Sequence, residues 1–206
     1  MKVELHLHTS RYSSCAVNTP DEMIARLVEA GYHAAYITEH NEVWSDEELA
    51  DLQAAFPAIR IFPGMELTIG DSWQEHLVVL GSNDPEYLRI DEMPDVLARA
   101  EAQGCLTVLA HPYRFDNGAT MLDKGLRPDA LEYFTNNHAP ENAARSQAVA
   151  AAMGLRLVNA GDSHGLSFID RFWIETAGPL EQAKDIRRIV LAGDYENCRS
   201  DNPPQR

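Results

Sequence analysis

Cysteine is scarce in this sequence, with Cys15, Cys105 and Cys198 alone, no C-x-x-C pair and an odd count. That excludes a disulfide framework and a cysteine-based metal knuckle, and it fits a reducing compartment. Cys105 reads as plain core. Long apolar runs are missing as well. No stretch approaches the roughly 20 residues of a membrane span, and the first residues enter a polar, histidine-bearing strand rather than a leader, so a cytoplasmic protein with no membrane partner is expected. Positive charge is in short supply: 17 Lys and Arg against 32 Asp and Glu leave a formal net charge of −15. Such a surface repels a polyanion, so no extended nucleic-acid interface is expected, while small anionic ligands stay open. Nothing in the chain reads as an interdomain linker. Its 206 residues, 45% of them hydrophobic, suit a single domain over 1–199, followed by a polar tail over 200–206 that is expected to fray.

What the chain does have is a recurring pattern of histidines and carboxylates at the ends of apolar runs. His6-Leu7-His8-Thr9 follows Val3-Glu4-Leu5. Two residues apart on a strand, His6 and His8 point to one side and can grip one metal ion. Five further apolar runs carry the same signature: Ile37-Thr38-Glu39-His40, Pro63-Gly64-Met65-Glu66, His76-Leu77-Val78-Val79, Leu109-Ala110-His111-Pro112 and Ala160-Gly161-Asp162-Ser163-His164. Six of the eight histidines fall in it. Imidazole nitrogens and carboxylate oxygens suit zinc, manganese and iron alike, and a carboxylate can bridge two ions where a neutral imidazole cannot.

Between these runs the chain alternates strand and helix signals. Thr19-Pro20-Asp21-Glu22 predicts a capped helix start with proline at its first position, and Gly31 its stop. Ser45 with Glu48 predicts a second capping box. Strands are expected over 34–38, 58–65, from His76, over 106–110, 130–134, 155–160 and 172–176, and helices over 93–104, 140–153 and 180–191. The turn signal Gly70-Asp71-Ser72 predicts a hairpin that carries His76 back to Glu66. Repeated strand and helix units predict a mainly parallel sheet closed into a reduced α/β barrel, with the site at the C-terminal strand ends.

In these residues the chain resembles the PHP (polymerase and histidinol phosphatase) domains. The resemblance runs through His6-x-His8-Thr9, Thr38-Glu39-His40-Asn41, Pro63-Gly64-x-Glu66, His76, Ala110-His111-Pro112 and Asp162-x-His164. It implies a distorted seven-stranded β/α TIM-like barrel carrying two or three divalent ions (zinc, manganese or iron) that hydrolyse phosphate esters. Carried over by position, it implies that His6, His8, Glu66 and Asp162 hold one ion. Glu66 then bridges to a second ion on His76 and His111, and His40 with His164 hold a third. Where many members place another histidine six residues after His8, this sequence has Ser14, beside Cys15. Two such ions activate a water to hydroxide and stabilise charge on phosphorus oxygens. Glu66, Asp162 and His164 are therefore the expected catalytic residues.

Arg11, three residues past His8, and Arg114, three past His111, are expected on loops leaving the same rim, where a guanidinium forks onto phosphate. Arg171 is a weaker candidate, His138 with Asn136 and Asn137 follows the strand ending at Phe134 and could face the mouth, and His33 reads as structural. Tyr12, Trp44 and Trp73 lie in loops near ligands. The expected partner is a small phosphorylated substrate, a nucleotide or metabolite. Histidinol phosphate hydrolysis, cleavage of a carbon-nitrogen bond and a non-catalytic metal-stabilised module are the alternatives.

Overall fold

The computed structural model describes residues 1–69 and 73–200. Nine strands, β1 (Lys2–Glu4), β2 (Ala34–Ile37), β3 (Arg60–Thr68), β4 (His76–Leu80), β5 (Leu106–Leu109), β6 (Ala130–Glu132), β7 (Arg156–Val158), β8 (Phe172–Thr176) and β9 (Tyr195–Arg199), form one sheet. Their order is β7-β6-β5-β4-β3-β2-β1-β8-β9. The ring nearly closes. Past its last strand residue, the β7 segment pairs with the continuation of β1 through Leu7 and Ser163, with His8 N donating to Ser163 O at 3.0 Å and Ser163 N to His6 O at 3.2 Å. At the opposite end Asn197 spans the seam, its Oδ1 accepting from Asn159 N at 2.6 Å and its Nδ2 donating to Leu157 O at 2.9 Å.

Seven strands therefore make the expected distorted barrel, and the antiparallel β8–β9 pair, whose connection carries a helix, fills the lower part of the seam. Two differences follow. The strand count is nine, because β9 pairs along the whole of β8. Its polar alternation Tyr-Glu-Asn-Cys-Arg leaves most of it exposed and gives no apolar strand signal. The sheet is also only half parallel: β4 runs antiparallel to both β3 and β5, and β8 antiparallel to β1 and β9.

Local chemistry explains the helices. α1 (Pro20–Glu29) and α2 (Asp46–Ala55) each start with the predicted reciprocal capping box, Thr19 with Glu22 and Ser45 with Glu48, which satisfies amide groups that a helix start leaves free. α3 (Met93–Gln103) and α5 (Pro140–Met153) both end on left-handed glycines, Gly104 and Gly154, where any side chain is disfavoured. The short α4 (Thr120–Asp123) carries no apolar period to betray it. α6 (Asp185–Ala192) starts later than the apolar pattern from Leu180 predicts, because the Asp185 carboxylate takes the amides of Glu181 and Gln182 at 2.9 Å and holds that stretch in a turn.

The apolar residues of α6, Ile186, Ile189 and Val190, pack with Tyr36, Val78, Leu80, Val108 and Val158 into one buried cluster. That cluster is the floor of the barrel. The register aligns Glu66 with Val78 and Thr68 with His76, so Glu66 and His76 share a face with Val78 and Leu80, towards the opposite end. Among the described residues no helix is long and apolar enough to cross a membrane. The three cysteines are free, with Cys105 buried. The turn signal at Gly70-Asp71-Ser72 and nearly all of the polar tail lie outside the described residues.

Candidate metal centre

Every predicted ligand reaches the same end of the barrel. His6 and His8 leave β1, His40 follows β2, Glu66 lies near the end of β3, His111 follows β5, and Asp162 and His164 follow β7. His76 starts β4, which runs the other way, so the β3–β4 pairing returns it to this rim. The rings stand close together, with centroids of His8 at 4.2 Å from both His40 and His164, and of His76 at 5.1 Å from His111. Asn41, His111 and Asp162 adopt positive φ (49°, 30° and 47°), a region non-glycine residues rarely occupy and one that gathers at functional sites.

Glu66 is at the centre and fully buried. Its Oε1 faces His76 Nδ1 at 2.9 Å and His111 Nε2 at 3.2 Å. Its Oε2 faces His40 Nδ1 at 2.8 Å and the Nε2 atoms of His6 and His8, each at 3.2 Å. Asp162 Oδ1 lies 3.4 Å from His8, 3.6 Å from His6 and 3.4 Å from His164. Despite these neighbours, Glu66 Oε2 and Asp162 Oδ1 are buried without a hydrogen bond. Buried carboxylate oxygens are costly to leave unpaired. Imidazole nitrogens crowd these two without hydrogen-bond alignment, as donor atoms gathered round a common cation do. Among the described residues three groups have ligand atoms mutually within 4.8 Å: His6, His8 and Glu66; His40, Glu66 and His76; His8, His40 and His164. The residues thus fit divalent ions in a nitrogen and oxygen donor set.

The electrostatics agree. Burial works against protonation of His6, yet Asp162, Glu66 and Glu132 outweigh it and hold its pKa well above the ordinary imidazole value. His8 and His76 are raised against the same burial penalty, chiefly by Asp162 and Glu66 for His8 and by Glu66 for His76. Burial would raise the carboxyls, but His6 and its neighbours hold Glu66 and Asp162 well below the usual carboxylate range. His164 differs: burial, then the charge of His8, push it down to about 4. Without an ion, protonated imidazoles supply the positive charge these carboxylates demand. Ligation needs the free imidazole, so an ion must displace those protons, and affinity falls as pH drops through the raised histidine values. Metal addition at pH 7 is expected to release protons, from His6 above all, read by calorimetry in two buffers of different ionisation enthalpy. Zero net release would show the imidazoles already neutral.

The family model for the PHP domain matches residues 4–112, just over half of the chain. The chain belongs to the PHP domain family. Solved structures similar to this PHP domain include a two-domain protein from Bacteroides vulgatus containing a predicted PHP-like metal-dependent phosphoesterase, at 16% identity and TM-score 0.74 over 96% of this chain. The chain spans 64% of that protein's length. A candidate metal-dependent phosphoesterase from Bifidobacterium adolescentis aligns over 92% of this chain and 95% of its own, at 16% identity and TM-score 0.61. An amidohydrolase from Chromobacterium violaceum, with bound sulfate and no metal, aligns over 80% of this chain and 88% of its own, at 15% identity and TM-score 0.62. At such identities the likeness concerns the fold. No curated protein matches the sequence significantly.

The PHP domain's cleft has a volume of about 290 Å³ and is lined by His40, His76, His111, Asp162 and His164 together with Cys15, Trp73, Arg114, Phe115, Asn137 and Phe168. Arg114 is among the residues lining the cleft. Arg11 does not line this cleft: its Nε binds Glu48 Oε1 at 2.9 Å and its guanidinium lies over Trp44 and Tyr12. The capping carboxylate of α2 has drawn it to the outer surface. Arg171 lies over Phe168 and donates to Ser167 O. His138 has its two ring nitrogens beside the carbonyl oxygens of Tyr133 and Pro112 and is not among the residues lining the cleft, and His33 accepts from Lys2 N at 3.0 Å between β1 and β2. Ser14 is exposed, and Cys15, although on the cleft wall, joins none of the three ligand groups among the described residues.

Sequence reasoning passed over several supporting residues. Ser13 Oγ donates to Glu39 at 2.5 Å, accepts from His40 N at 3.1 Å and faces His8 Nδ1 at 3.2 Å. Glu39 is fixed in turn by Thr9 and by Trp44 Nε1 at 3.3 Å, and Asn137 donates to Asp162 Oδ2. Thr9 and Glu39 stood inside singled-out motifs, and Trp44 and Asn137 among the loop residues near the ligands, so what was passed over is their supporting roles, which arise from contacts across the barrel; Ser13 alone of these carries no local signal.

Proposed function

We propose that this PHP domain hydrolyses a small phosphate monoester, a nucleotide or phosphorylated metabolite, in the Glu66-centred cleft. The observation that carries this reading is the division of Glu66 itself, one oxygen among His6, His8 and His40 and the other between His76 and His111. A single buried carboxylate facing two sets of imidazoles is the donor arrangement of a bridged pair of ions. In this reading His6, His8, Glu66 and Asp162 hold one ion, and Glu66, His76 and His111 the second. His40 with His164 serve a third, His40 being near enough to Glu66 and His76 to be shared. Zinc, manganese and iron suit this donor set equally. Such ions would supply an acidified water and positive charge against the phosphoryl oxygens.

The chain's own groups do the rest. Asp162 and Glu66 stay ionised, and Asn137 aims Asp162 by holding its other oxygen. His164, with its pKa near 4, is neutral at pH 7 and keeps a lone pair at the mouth for an ion or a proton. In this reading Arg114, which lines the cleft with its guanidinium over the Phe115 ring at 4.9 Å, forks onto the entering phosphate. The modest cleft volume sits at the small end of ligand pockets, which favours a compact substrate over a polymer.

Arg114→Ala is expected to lower kcat/KM about 10- to 100-fold, as one charged hydrogen-bonding contact of about 1.5–3 kcal/mol implies. Arg11→Ala, removing an exposed pair with Glu48, should stay within about twofold. Equal losses in the two would remove Arg114 from the substrate site. The reading as a whole is tested by a release screen over nucleotides, sugar phosphates and histidinol phosphate, run beside amide and amine substrates with metal-loaded protein. Phosphate release dependent on added metal supports it, and ammonia or amine release without phosphate sinks it.

A further inference from the structure

Glu132 is the last residue of β6 and is buried, 1% exposed. Its Oε1 lies 2.7 Å from His6 Nδ1, and its Oε2 accepts the backbone N–H of His111 at 2.6 Å. These two partners belong to different sides of Glu66: His6 faces Oε2 and His111 faces Oε1. We propose that Glu132 is a positioning residue that sets both halves of the metal centre from behind, fixing which nitrogen of His6 is free and locking the backbone turn that presents His111.

At His6 the carboxylate sets the tautomer. A carboxylate at Nδ1 only accepts, so the ring's proton stays on Nδ1 and the Nε2 lone pair points forward. Forward is where Nε2 meets His8 Nε2 at 2.9 Å and Glu66 Oε2 at 3.2 Å. At His111 the carboxylate offsets backbone strain. The residue's φ of +30° is a conformation side chains disfavour, and a charge-assisted bond from its own N–H compensates. The sheet supplies the reach, since β5 and β6 run parallel with Leu109 beside Leu131, which brings the residue after Leu131 alongside the turn after Leu109. A neutral amide cannot serve both partners. It has one acceptor oxygen, so either the N–H of His111 loses its partner or His6 turns its proton to Nε2, where an ion should be.

The inference rests on the metal reading, and its test separates the two. Zinc and manganese affinity of the full chain is measured by chelator competition for wild type, Glu132→Gln and Glu132→Asp. His6 ring nitrogen shifts are recorded in the metal-free proteins by NMR, at a pH high enough to leave the ring neutral. Glu132→Gln is expected to weaken the tightest ion about 10- to 100-fold, the usual cost of losing such a partner, and to move His6 from the Nδ1–H towards the Nε2–H form. Glu132→Asp, which keeps an acceptor, should retain the Nδ1–H form with an intermediate affinity, and it carries the test if the Gln variant does not fold. An affinity within twofold of wild type in the variants overturns the proposal, because a purely structural residue would change only the unfolding temperature. If wild type binds neither metal, the metal reading fails, and the ring shifts alone decide Glu132: an unchanged Nδ1–H form then overturns it.

Discussion

Glu66→Gln is expected to abolish most turnover, lowering metal-dependent phosphate release about 10²- to 10⁴-fold, far beyond the effect of Arg114→Ala. Two ions that lose their shared ligand would forfeit several kcal/mol of transition-state charge stabilisation, and each 1.36 kcal/mol is a factor of ten in rate. Here the replaced group faces five imidazoles at 2.8–3.2 Å, split between its two oxygens. An amide would offer one acceptor and put an N–H among atoms that themselves need a cation or a proton. The measurement is phosphate release at saturating metal, with metal content determined on the same sample. Near-wild-type turnover with the full complement of ions would show that Glu66 does not join two sites.

The second large effect is on stability. Gly161→Ala is expected to destabilise the fold by about 2–3 kcal/mol, within the usual cost of overpacking, which for a chain of this length lowers the unfolding midpoint by about 4–12 °C. A Cβ at Gly161 would meet Glu4 Oε2 at 2.3 Å and Ser163 Oγ at 2.5 Å, closer than real contacts come. Glu4 cannot swing aside cheaply. Its Oε1 accepts from His6 N at 3.0 Å and Gly161 N at 2.7 Å, and burial raises its carboxyl pKa to about 7. Its displacement would loosen the seam where the β1 extension meets the segment carrying Asp162. Thermal unfolding of the metal-free variant checks this, and a midpoint within 1 °C of wild type would mean the seam has slack.

The site was more legible than its supports. His6 and His8 declared themselves by strand period, and His40, Glu66, His111, Asp162 and His164 by ending apolar runs, because a barrel gathers strand ends at one rim whatever their separation in sequence. His76 needed the hairpin argument, and the antiparallel β3–β4 pairing supplies the reason it works. The capping boxes at Thr19 and Ser45 were likewise readable, since their partners lie three residues away. What escaped depends on distant partners. Ala130-Leu131-Glu132 ends an apolar strand on a carboxylate just as Met65-Glu66 does, and only the contact with His6, 126 residues away, distinguishes its role. Arg11 shows the converse. Its spacing from His8 pointed to the cleft, but Glu48, doubling as the α2 capping residue, holds it elsewhere. β8 stood where its apolar run predicts, whereas β9 escaped because it is mostly solvent-facing and pairs through its backbone.

If one buried carboxylate joins two ion sites, anomalous X-ray diffraction from crystals grown with manganese or zinc will locate both ions against it. At least two anomalous peaks are expected within coordination distance of Glu66, one on the side of His6 and His8 and one on the side of His76 and His111. A single peak held away from Glu66, or none at saturating metal, would contradict a bridging Glu66.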